Sequence, residues 1–328
     1  MLTSEKATSL SNAMTSSDDG RTLNFDGAKL CPRTDATEYD KLFIPQWDAL
    51  YEPDWTLFSA FALCVREDLN VLLVGPTGAG KSTAVLMLAS LLQQPVRRVN
   101  MHGDIRSADF LGQKVLEPDP ETKQVSVFYR HGVAPEAAKL GHWLLVDEID
   151  ATPAAMLMTI QAMLEPGHPI VLSSNHGEVV PTHPEFRILA TANTLGHGDE
   201  TGLYAGTNVL NEATLDRFVV LKVDYPLPEQ EAKILLEKGQ VDPQIVKMLV
   251  ETARLVRNGY SGNECYCTLS TRRLITWCKL YKHFLLASKD STIALRKSYQ
   301  LAVGNKLSPE DSKYVAGVVQ RATGIKVG

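Results

Sequence analysis

The chain has 328 residues, of which 44% are hydrophobic and 22% are charged, proportions that exclude a wholly disordered protein. Its 33 Lys and Arg against 38 Asp and Glu give a net charge of −5, which argues against a general affinity for nucleic acid. No apolar run approaches the roughly 18 residues of a membrane span, and five cysteines do not form a disulfide framework in a chain this long, so we expect a reduced, cytoplasmic protein. The length predicts about two domains.

Three regions follow one another along the chain. Residues 1–40 are rich in Ser, Thr and Asp without an apolar period, which predicts a flexible tail with local order near Leu30. Residues 41–225 alternate short apolar runs with amphipathic stretches, a pattern typical of an α/β domain with a mainly parallel sheet. The predicted strands of this domain are Val71–Val74, Val96–Asn100, Trp143–Val146, Arg187–Ala192 and Phe218–Val223. The predicted helices are Thr56–Val65, Ser82–Leu92 and Pro153–Glu165.

Two segments interrupt the alternation and are predicted as protruding β-hairpins. One is Val115–Arg130, and the other is Ile170–Val180, with a turn at Asn175-His176-Gly177. A sheet seldom needs such hairpins to close, so we expect them to present a surface to a partner. After Tyr225 the pattern changes to helices only, which predicts a helical domain over residues 226–328.

A phosphate-binding motif lies between the first of these strands and the helix that follows it. Gly75–Ser82 (GPTGAGKS) matches the pattern G-x-x-x-x-G-K-[ST] in the required strand-before, helix-after context. Glycines let successive N–H groups converge on a phosphate at a helix N-terminus, a Lys adds a point charge, and a Ser hydroxyl binds Mg²⁺. The predicted nucleotide-binding residues are Gly75, Pro76, Thr77, Gly78, Ala79, Gly80, Lys81, Ser82 and Thr83.

Two adjacent carboxylates end the strand Trp143–Val146. Asp147 is predicted, with Ser82, to hold Mg²⁺, and Glu148 to orient and deprotonate an attacking water. Without the upstream motif, the same residues would be equally consistent with an ordinary strand end. Asp150 is predicted as a helix cap. No Asn-Lys-x-Asp segment for guanine is present, which disfavours a GTPase.

Polar residues at three places in the chain follow in the order expected of groups that sense or trigger phosphate cleavage. Asn193 ends a predicted strand, where its amide could hold the attacking water or the terminal phosphate, although the local sequence alone favours a turn. Arg217 could complete a neighbouring subunit's site, although an Asp-Arg pair is more often a surface salt bridge. Arg272 and Arg273 open a helix of the second domain, and one of the two could reach back to the phosphate, since a basic helix start otherwise opposes the helix dipole.

The ordered motifs from Gly75 to Arg272 resemble those of the AAA+ ATPases and, within them, the MoxR-like branch and the ATPase subunit of cobaltochelatase (the CobS type). The narrower similarity is carried by Phe186–Phe218 (FRILATANTLGHGDETGLYAGTNVLNEATLDRF), with Val99-Asn100 and Ser270-Thr271-Arg272 adding to it. The resemblance covers residues 44–284. It implies a P-loop NTPase domain of three layers with a C-terminal helical lid domain, and ATP and Mg²⁺ as ligands.

The resemblance also implies a role for each motif residue within one subunit. Lys81 and Ser82 match the phosphate-loop pair. Asp147 and Glu148 match the metal-binding and base carboxylates, and Asn193 matches the first sensor.

Other implied features concern contacts between subunits and with partners. Arg217 matches an arginine finger that acts on a neighbouring subunit, with Arg187 as a second candidate, and Arg272 matches the arginine of the second sensor. The two hairpins match insertions on the face that engages a substrate or partner. Members of this family form hexameric rings and commonly work with a protein that carries a von Willebrand A domain.

Three functions remain open on the sequence alone. The first is a chelatase motor that drives cobalt insertion into a corrin ring. The second is a MoxR-like chaperone that remodels a protein assembly without metal chemistry. The third is a DNA-associated motor, against which the net charge of −5 and the lack of interleaved aromatic and basic residues both count.

The cysteines of the second domain do not predict a metal site by their spacing. Cys265 and Cys267 are separated by one residue, and Cys278 follows eleven residues later. There is no C-x₂-C pair and no evident fourth ligand, so the spacing favours ordinary buried cysteines.

Overall fold

The computed structural model describes residues 14–16, 22–118, 124–165, 167–194, 208 and 210–327. The described strands are β1 (Met14–Ser16), β2 (Leu23–Phe25), β3 (Ala28–Leu30), β4 (Val71–Val74), β5 (Val96–Asn100), β6 (Gly112–Pro118), β7 (Val125–His131), β8 (Trp143–Asp147), β9 (Ile170–Leu172), β10 (Glu178–Val180), β11 (Arg187–Ala192) and β12 (Val219–Lys222). The described α-helices are α1 (Glu38–Lys41), α2 (Trp55–Arg66), α3 (Lys81–Leu91), α4 (Ser107–Leu111), α5 (Val133–Leu140), α6 (Ala154–Met163), α7 (Glu212–Leu215), α8 (Pro228–Gly239), α9 (Pro243–Ser261), α10 (Thr271–Ser288), α11 (Ser291–Ala302) and α12 (Pro309–Thr323). Within these ranges no helix has both the length and the apolar character that a bilayer span requires.

A five-stranded parallel sheet with the strand order β12-β4-β11-β8-β5 forms the centre of the α/β region. Strands covered by helices on both faces carry continuous apolar runs, as the fully buried β4 (VLLV) and β8 (WLLVD) do. The predicted strands are therefore confirmed. Since the strands run parallel, their carboxyl ends lie at one edge of the sheet, where ligands bind in folds of this kind.

The apolar core lies in two layers, one on each face of the central sheet. On one face, Val71 and Leu73 of β4 pack with helices α2 and α3. On the other face, Leu72 and Val74 of the same strand pack with helices α5 and α6. Successive residues of a strand point to opposite faces, so one short strand serves both layers. The predicted three-layer architecture is confirmed.

Residues 22–40 differ from the flexible tail that the sequence predicted. Strands β2 and β3 form an antiparallel hairpin, and Phe25 is buried in the same core as α2 and α3. Arg66 at the end of α2 donates a hydrogen bond to the carbonyl oxygen of Gly27 (Nη1–O 3.1 Å). The order predicted near Leu30 is present in β3. The rest of the prediction was wrong because three-residue strands carry too little period to be recognised, and Phe25 is buried only through tertiary contacts. Residues 1–13 and 17–21 of that predicted tail lie outside the described residues.

A buried carboxylate–imidazole pair fixes α1 to the central sheet. Asp40 Oδ1 lies 2.7 Å from Nε2 of His142, and Arg97 donates to Nδ1 of the same ring (Nε–Nδ1 3.2 Å). Because Nδ1 accepts a hydrogen bond, the Nε2 hydrogen faces Asp40 and the imidazole is neutral. Burial lowers the pKa of His142 against the opposing hydrogen bond to Asp40. Desolvation acts to raise the pKa of Asp40, but hydrogen bonds from His142 and Thr37 lower it to about 2.

We expect this pair to make the free energy of unfolding fall as the pH is lowered. The pKa of His142 is lower in the folded chain than in the unfolded chain. Below about pH 6.5 the unfolded chain therefore binds a proton on this ring that the folded chain does not, and the free energy of unfolding falls. The depressed pKa of Asp40 adds a contribution that is present above about pH 4 and is lost toward pH 2. One proton contributes at most about 1.4 kcal/mol per pH unit.

Urea unfolding between about pH 7.5 and pH 5 measures this slope. His142→Gln should destabilise the protein at neutral pH and flatten the slope below pH 6.5, because the titrating ring is gone. An unchanged slope in the variant would show that other groups cause the pH dependence.

Both predicted hairpins are present and lie side by side. Strand β6 pairs antiparallel with β7, and β9 pairs antiparallel with β10. A hydrogen bond between the hydroxyls of Tyr129 and Ser174 (2.9 Å) joins the two hairpins. Leu116 and Val127, which are register partners in β6 and β7, are both exposed. The role of this face in binding a partner stays a prediction.

The C-terminal region is helical, as predicted, and has a core of its own. Trp277 of α10 is completely buried, and its indole Nε1 donates to the hydroxyl of Ser298 (3.1 Å). Pro243 and Pro309 occupy the first turns of α9 and α12, where their missing N–H groups cost nothing. The core around Trp277 draws on helices α8 to α12.

Candidate nucleotide-binding site

The loop between β4 and α3 has the geometry of an anion-binding turn. Gly80, immediately before α3, has φ +100°, a conformation that residues with a Cβ rarely adopt. The first N–H groups of the 11-residue helix have no acceptor within the helix, so this end suits phosphate oxygens. A Cβ at Gly78 would lie 2.6 Å from the Cβ of Ser270, which shows how closely the loop approaches the C-terminal helical region.

Lys81 lies in the centre of this loop. It is 7% exposed, and its Nζ donates to the carbonyl oxygens of Gly75 (2.7 Å) and Pro76 (3.1 Å). It also donates to Oδ1 of Asn193 (2.9 Å), which accepts a further hydrogen bond from the Thr77 hydroxyl (3.2 Å). Burial lowers the pKa of Lys81 to about 8, against the carboxylates of the site, which raise it. A buried cation beside an anion-binding helix end suits a phosphate ligand.

Asp147 is buried at the end of β8 and accepts hydrogen bonds from three side chains. The Ser82 hydroxyl lies 2.7 and 3.0 Å from its two oxygens, the Arg98 guanidinium donates through Nε (2.8 Å) and Nη2, and the Thr191 hydroxyl is the third donor. Hydroxyl and carboxylate oxygens are the donors that Mg²⁺ prefers, so Ser82 and Asp147 fit that ion. Sequence reasoning missed the contact of Arg98 with Asp147. The sequence of β5 predicts only a strand, and the order of strands in the sheet, which makes β5 the neighbour of β8, is not visible in it.

Glu148 follows Asp147 but has a very different environment. It is exposed, and its backbone is left-handed (φ 58°, ψ 47°). Such a conformation in a non-glycine residue costs of the order of 1–3 kcal/mol and is concentrated at functional sites. The Glu148 N–H donates to the hydroxyl of Thr191 (3.0 Å), which holds this turn in place. One carboxylate is thus buried and saturated with donors, and the next is open to water, as a general base must be.

Asp150 is not the helix cap that the sequence predicted. The residue before α6 is Pro153, and no side chain caps that helix. The carboxylate of Asp150 is completely buried, and its Oδ2 accepts hydrogen bonds from the N–H groups of Asn193 (2.8 Å) and Thr194 (3.0 Å). The prediction was wrong because the pairing of β8 with β11, which places Asp150 beside Asn193, cannot be read from local sequence.

Removing the Asp150 carboxylate should disturb both folding and turnover. Asp150→Ala leaves two partly buried N–H groups without an acceptor, which costs at most about 1–3 kcal/mol each. It also releases Asn193 from its position beside Lys81, and a displacement of about 1 Å in such a site lowers turnover by roughly 10²-fold. Asp150→Asn, which keeps one carbonyl oxygen, should lose less of both.

Urea unfolding and steady-state phosphate release measure the two effects. The exposed Asp104→Ala is the control and should change stability by less than about 0.5 kcal/mol. Wild-type turnover in Asp150→Ala would show that this carboxylate does not position Asn193.

The two candidate arginine fingers lie at the opposite edge of the sheet from the phosphate loop. Arg217 precedes β12 and pairs with Glu165 (Nη2–Oε1 2.6 Å), and Arg187 opens β11 and pairs with Asp68 (Nη1–Oδ1 3.1 Å). The side chain of Arg217 is 32% exposed and that of Arg187 is 14% exposed. Neither can reach the phosphate loop of its own chain, so either would have to act on another subunit. The greater exposure favours Arg217.

Arg272 lies on the same side as the phosphate loop. Ser270 caps α10, and the Cβ of Arg272 in its first turn lies 3.9 Å from the position that a Cβ would take at Gly78. The hydroxyl of Tyr225 donates to the carbonyl oxygen of Thr77 (3.1 Å) and lies 2.8 Å from the Thr268 hydroxyl. Tyr225 therefore links the loop directly to the segment that leads into α10, a connection that sequence reasoning missed.

Comparison with known proteins identifies the family. A family model described as AAA domain (dynein-related subfamily) matches residues 70–218, and one described as CbbQ/NirQ/NorQ C-terminal matches residues 231–318. The chain is 30% identical over 291 residues to the aerobic cobaltochelatase subunit CobS of Sinorhizobium sp., a match that covers 87% of this chain and 84% of that protein. The chain belongs to the MoxR-like branch of the AAA+ ATPases. It is therefore a nucleotide-binding ATP hydrolase.

Two further matches are consistent with this AAA+ assignment. Midasin of Giardia intestinalis is 24% identical over 265 residues, which cover 80% of this chain but 5% of that much longer protein. The solved structure of a point mutant of Thermotoga maritima RuvB aligns with a TM-score of 0.50 at 15% identity, over 83% of this chain and 82% of that one, and shows the fold alone. Residues 195–207, which carry part of the predicted similarity, lie outside the described residues.

Proposed function

We propose that this AAA+ ATPase is a Mg²⁺-dependent motor that works in a hexameric ring and uses ATP hydrolysis to remodel a partner complex. The observation that carries the proposal is the meeting of Lys81, Asp147, Glu148 and Asn193 beside the N-terminus of α3, at the carboxyl edge of the sheet. A phosphate-binding helix end, a pair of metal-binding oxygens and an exposed carboxylate are the elements that metal-assisted phosphoryl transfer requires.

Binding is the first step of the proposed cycle. The N–H groups of the first turn of α3 and the Lys81 ammonium hold the β- and γ-phosphates. Ser82 and Asp147 hold Mg²⁺, which when bound neutralises charge that develops on the phosphate oxygens. Arg272 contacts the γ-phosphate from the helical region, and Tyr225 links that contact to the loop at Thr77. Nucleotide occupancy thereby sets the position of the helical region.

Hydrolysis follows from groups on two subunits. Glu148 accepts a proton from the attacking water, while the Asn193 amide orients that water or the γ-phosphate. Arg217 of a neighbouring subunit stabilises the negative charge of the transition state. Within one chain, Arg98 is engaged by Asp147 and Arg272 comes from the helical region, so we assign the transition-state arginine to the neighbouring subunit. Turnover therefore requires assembly.

Two partner complexes are supported by different matches. Similarity to the CobS subunit over 87% of the chain supports a cobaltochelatase, in which hydrolysis drives cobalt insertion into a corrin ring held by a larger subunit. The match of residues 231–318 to the CbbQ/NirQ/NorQ C-terminal family is not specific to a cobaltochelatase and leaves room for the second candidate, a MoxR-like chaperone that remodels a protein complex without metal insertion. In both cases we propose an intermediary protein with a von Willebrand A domain that engages the exposed hairpin face.

Copurification with a trapped ATP state tests the proposal. Tagged Glu148→Gln protein should retain partners when Mg²⁺ and ATP are present, and Lys81→Ala protein, which lacks the phosphate-binding ammonium, should not. A large corrin-binding subunit among the retained proteins would establish the chelatase motor, and another complex in its place would establish the chaperone. Identical partners with both variants would contradict nucleotide-dependent remodelling.

Stimulation by DNA distinguishes the third function. The net charge of −5 provides no electrostatic attraction to a phosphate backbone. We expect ATP turnover at physiological salt to be unchanged by single- or double-stranded DNA. A stimulation of several-fold would replace the remodelling proposal with a DNA-associated motor.

A further inference from the structure

A cluster of two thiols and a carboxylate is buried in the C-terminal helical region. The Cys265 Sγ, the Cys267 Sγ and a carboxylate oxygen of Asp311 all lie within 4.8 Å of one another. The three residues are 3%, 6% and 7% exposed. Tyr266, between the two cysteines, is 58% exposed, so the loop turns both thiols inward and the intervening side chain outward.

Hydrogen bonds fix the carboxylate of this cluster. Asp311 Oδ1 accepts from the backbone N–H of Tyr266 (2.8 Å), and Oδ2 accepts from the hydroxyl of Ser308 (3.0 Å). Each carboxylate oxygen has a second lone pair, so both retain capacity for another ligand. These hydrogen bonds therefore fix the position of Asp311 relative to the loop that carries the two cysteines.

A fourth polar group in this neighbourhood has no partner. The hydroxyl of Tyr299 is buried and has no hydrogen-bond partner in the part of the chain that the structure describes. Tyr299 belongs to the same buried core as Cys265 and Cys267. Buried polar atoms of native proteins are almost always satisfied, so the orphaned hydroxyl marks this core as one with unused polar capacity.

The size and chemistry of the cluster suit a thiophilic divalent ion. Ligand atoms bound to one tetrahedral Zn²⁺ at about 2.3 Å (S) and about 2.1 Å (O) lie roughly 3.5–3.8 Å apart. The present separations, at most 4.8 Å, exceed this by about an ångström or less, which side-chain rotation can close. Two thiolates and a carboxylate select Zn²⁺ over the hard Mg²⁺ ion of the nucleotide site.

We propose that Cys265, Cys267 and Asp311 bind one Zn²⁺ ion per chain. The ion ties the 262–270 loop to the start of α12. The same loop leads to Ser270, which caps α10, and thus to Arg272 at the phosphate loop. The site is structural, since its residues are buried and none of them contacts the nucleotide-binding loop.

Metal titration of the full chain tests the proposal. Protein purified under reducing conditions and stripped with a chelator should take up one equivalent of Zn²⁺ in competition with a colorimetric chelator. Co²⁺, used as a spectroscopic probe, should show thiolate-to-metal charge transfer. Cys267→Ser and Asp311→Asn should each weaken Zn²⁺ binding by at least about tenfold.

Cys278→Ser is the matched control, because Cys278 is also buried but packs against Gly239 outside the cluster. It should bind Zn²⁺ like the wild type. Addition of Zn²⁺ should also raise the melting temperature of the stripped wild-type protein, a readout that needs no variant. Stripped wild-type protein that takes up no Zn²⁺, or that binds it no better than Cys267→Ser protein, would overturn the proposal.

Discussion

Glu148→Gln protein is expected to bind Mg²⁺–ATP within about twofold of wild type and to hydrolyse it roughly 10²–10⁴-fold more slowly, the range typical of a lost general base. The amide keeps the size of the carboxylate but cannot accept the proton of the attacking water. Glu148 is exposed, so its replacement should leave the fold intact. A fluorescent nucleotide analogue measures binding, and phosphate release under single-turnover conditions measures the chemical step.

Glu185→Gln provides the control for this substitution, since Glu185 is exposed and lies before β11, at the edge of the sheet away from the phosphate loop. It should bind and hydrolyse ATP as the wild type does. If Glu148→Gln protein turned over ATP at the wild-type rate, the base would have to be another group, and the adjacent Asp147 would be the first to test.

Arg217→Ala protein is expected to bind nucleotide normally and to lose about 10³–10⁵-fold in turnover, the range found for arginine fingers. Arg217 lies at the sheet edge opposite its own phosphate loop, so the loss would arise at a neighbouring subunit's site. Its pairing with Glu165 is partly exposed and contributes at most about 1 kcal/mol, so stability should change little. Steady-state phosphate release and urea unfolding measure the two quantities.

Mixing two inactive variants separates action between subunits from action within one. In a ring of Arg217→Ala and Glu148→Gln subunits, an interface of the right order combines an intact Glu148 with an intact Arg217. We expect such mixtures to recover turnover that neither variant shows alone. Glu165→Gln, which removes the partner of Arg217 but keeps the arginine, should remain active by itself. Mixtures without any recovery would contradict action in trans.

The central sheet and the phosphate loop could be predicted because their determinants are local. β4 is apolar throughout, and β8 is apolar up to the carboxylate at its end. Such continuous apolar runs are typical of strands that are covered on both faces. The loop motif requires a strand before it and a helix after it, and both are visible in the sequence. The meeting of Asn193 with Lys81 then follows from parallel strands ending at one edge.

The parts that could not be predicted depend on which elements become neighbours. Arg98 contacts Asp147 because β5 pairs with β8, and Asp150 holds Asn193 because β11 is the other neighbour of β8. The sequence of β5 carries no sign of the first contact, and Asp150 satisfies the local pattern of a helix cap equally well. Sheet order, which decides both, is a property of the whole domain.

The cluster of Cys265, Cys267 and Asp311 in the helical region also depends on a tertiary contact that the sequence did not predict. Cysteine spacing favoured ordinary buried cysteines, whereas the structure places Asp311 of α12 beside Cys265 and Cys267. Asp311 also has an ordinary role at the start of its helix, where it accepts from Ser308. Because the start of a helix is enough to explain an Asp at position 311, the sequence gives no sign that Asp311 also contacts the cysteines.

Titration of the purified protein with ATP by calorimetry, with and without Mg²⁺, tests the central claim most directly. The arrangement of Lys81, Ser82 and Asp147 at the N-terminus of α3 predicts saturable binding that Mg²⁺ strengthens and that Lys81→Ala abolishes. A chain with no measurable affinity for ATP in the presence of Mg²⁺, or with the same affinity after Lys81→Ala, would contradict the assignment of this edge of the sheet as the nucleotide site.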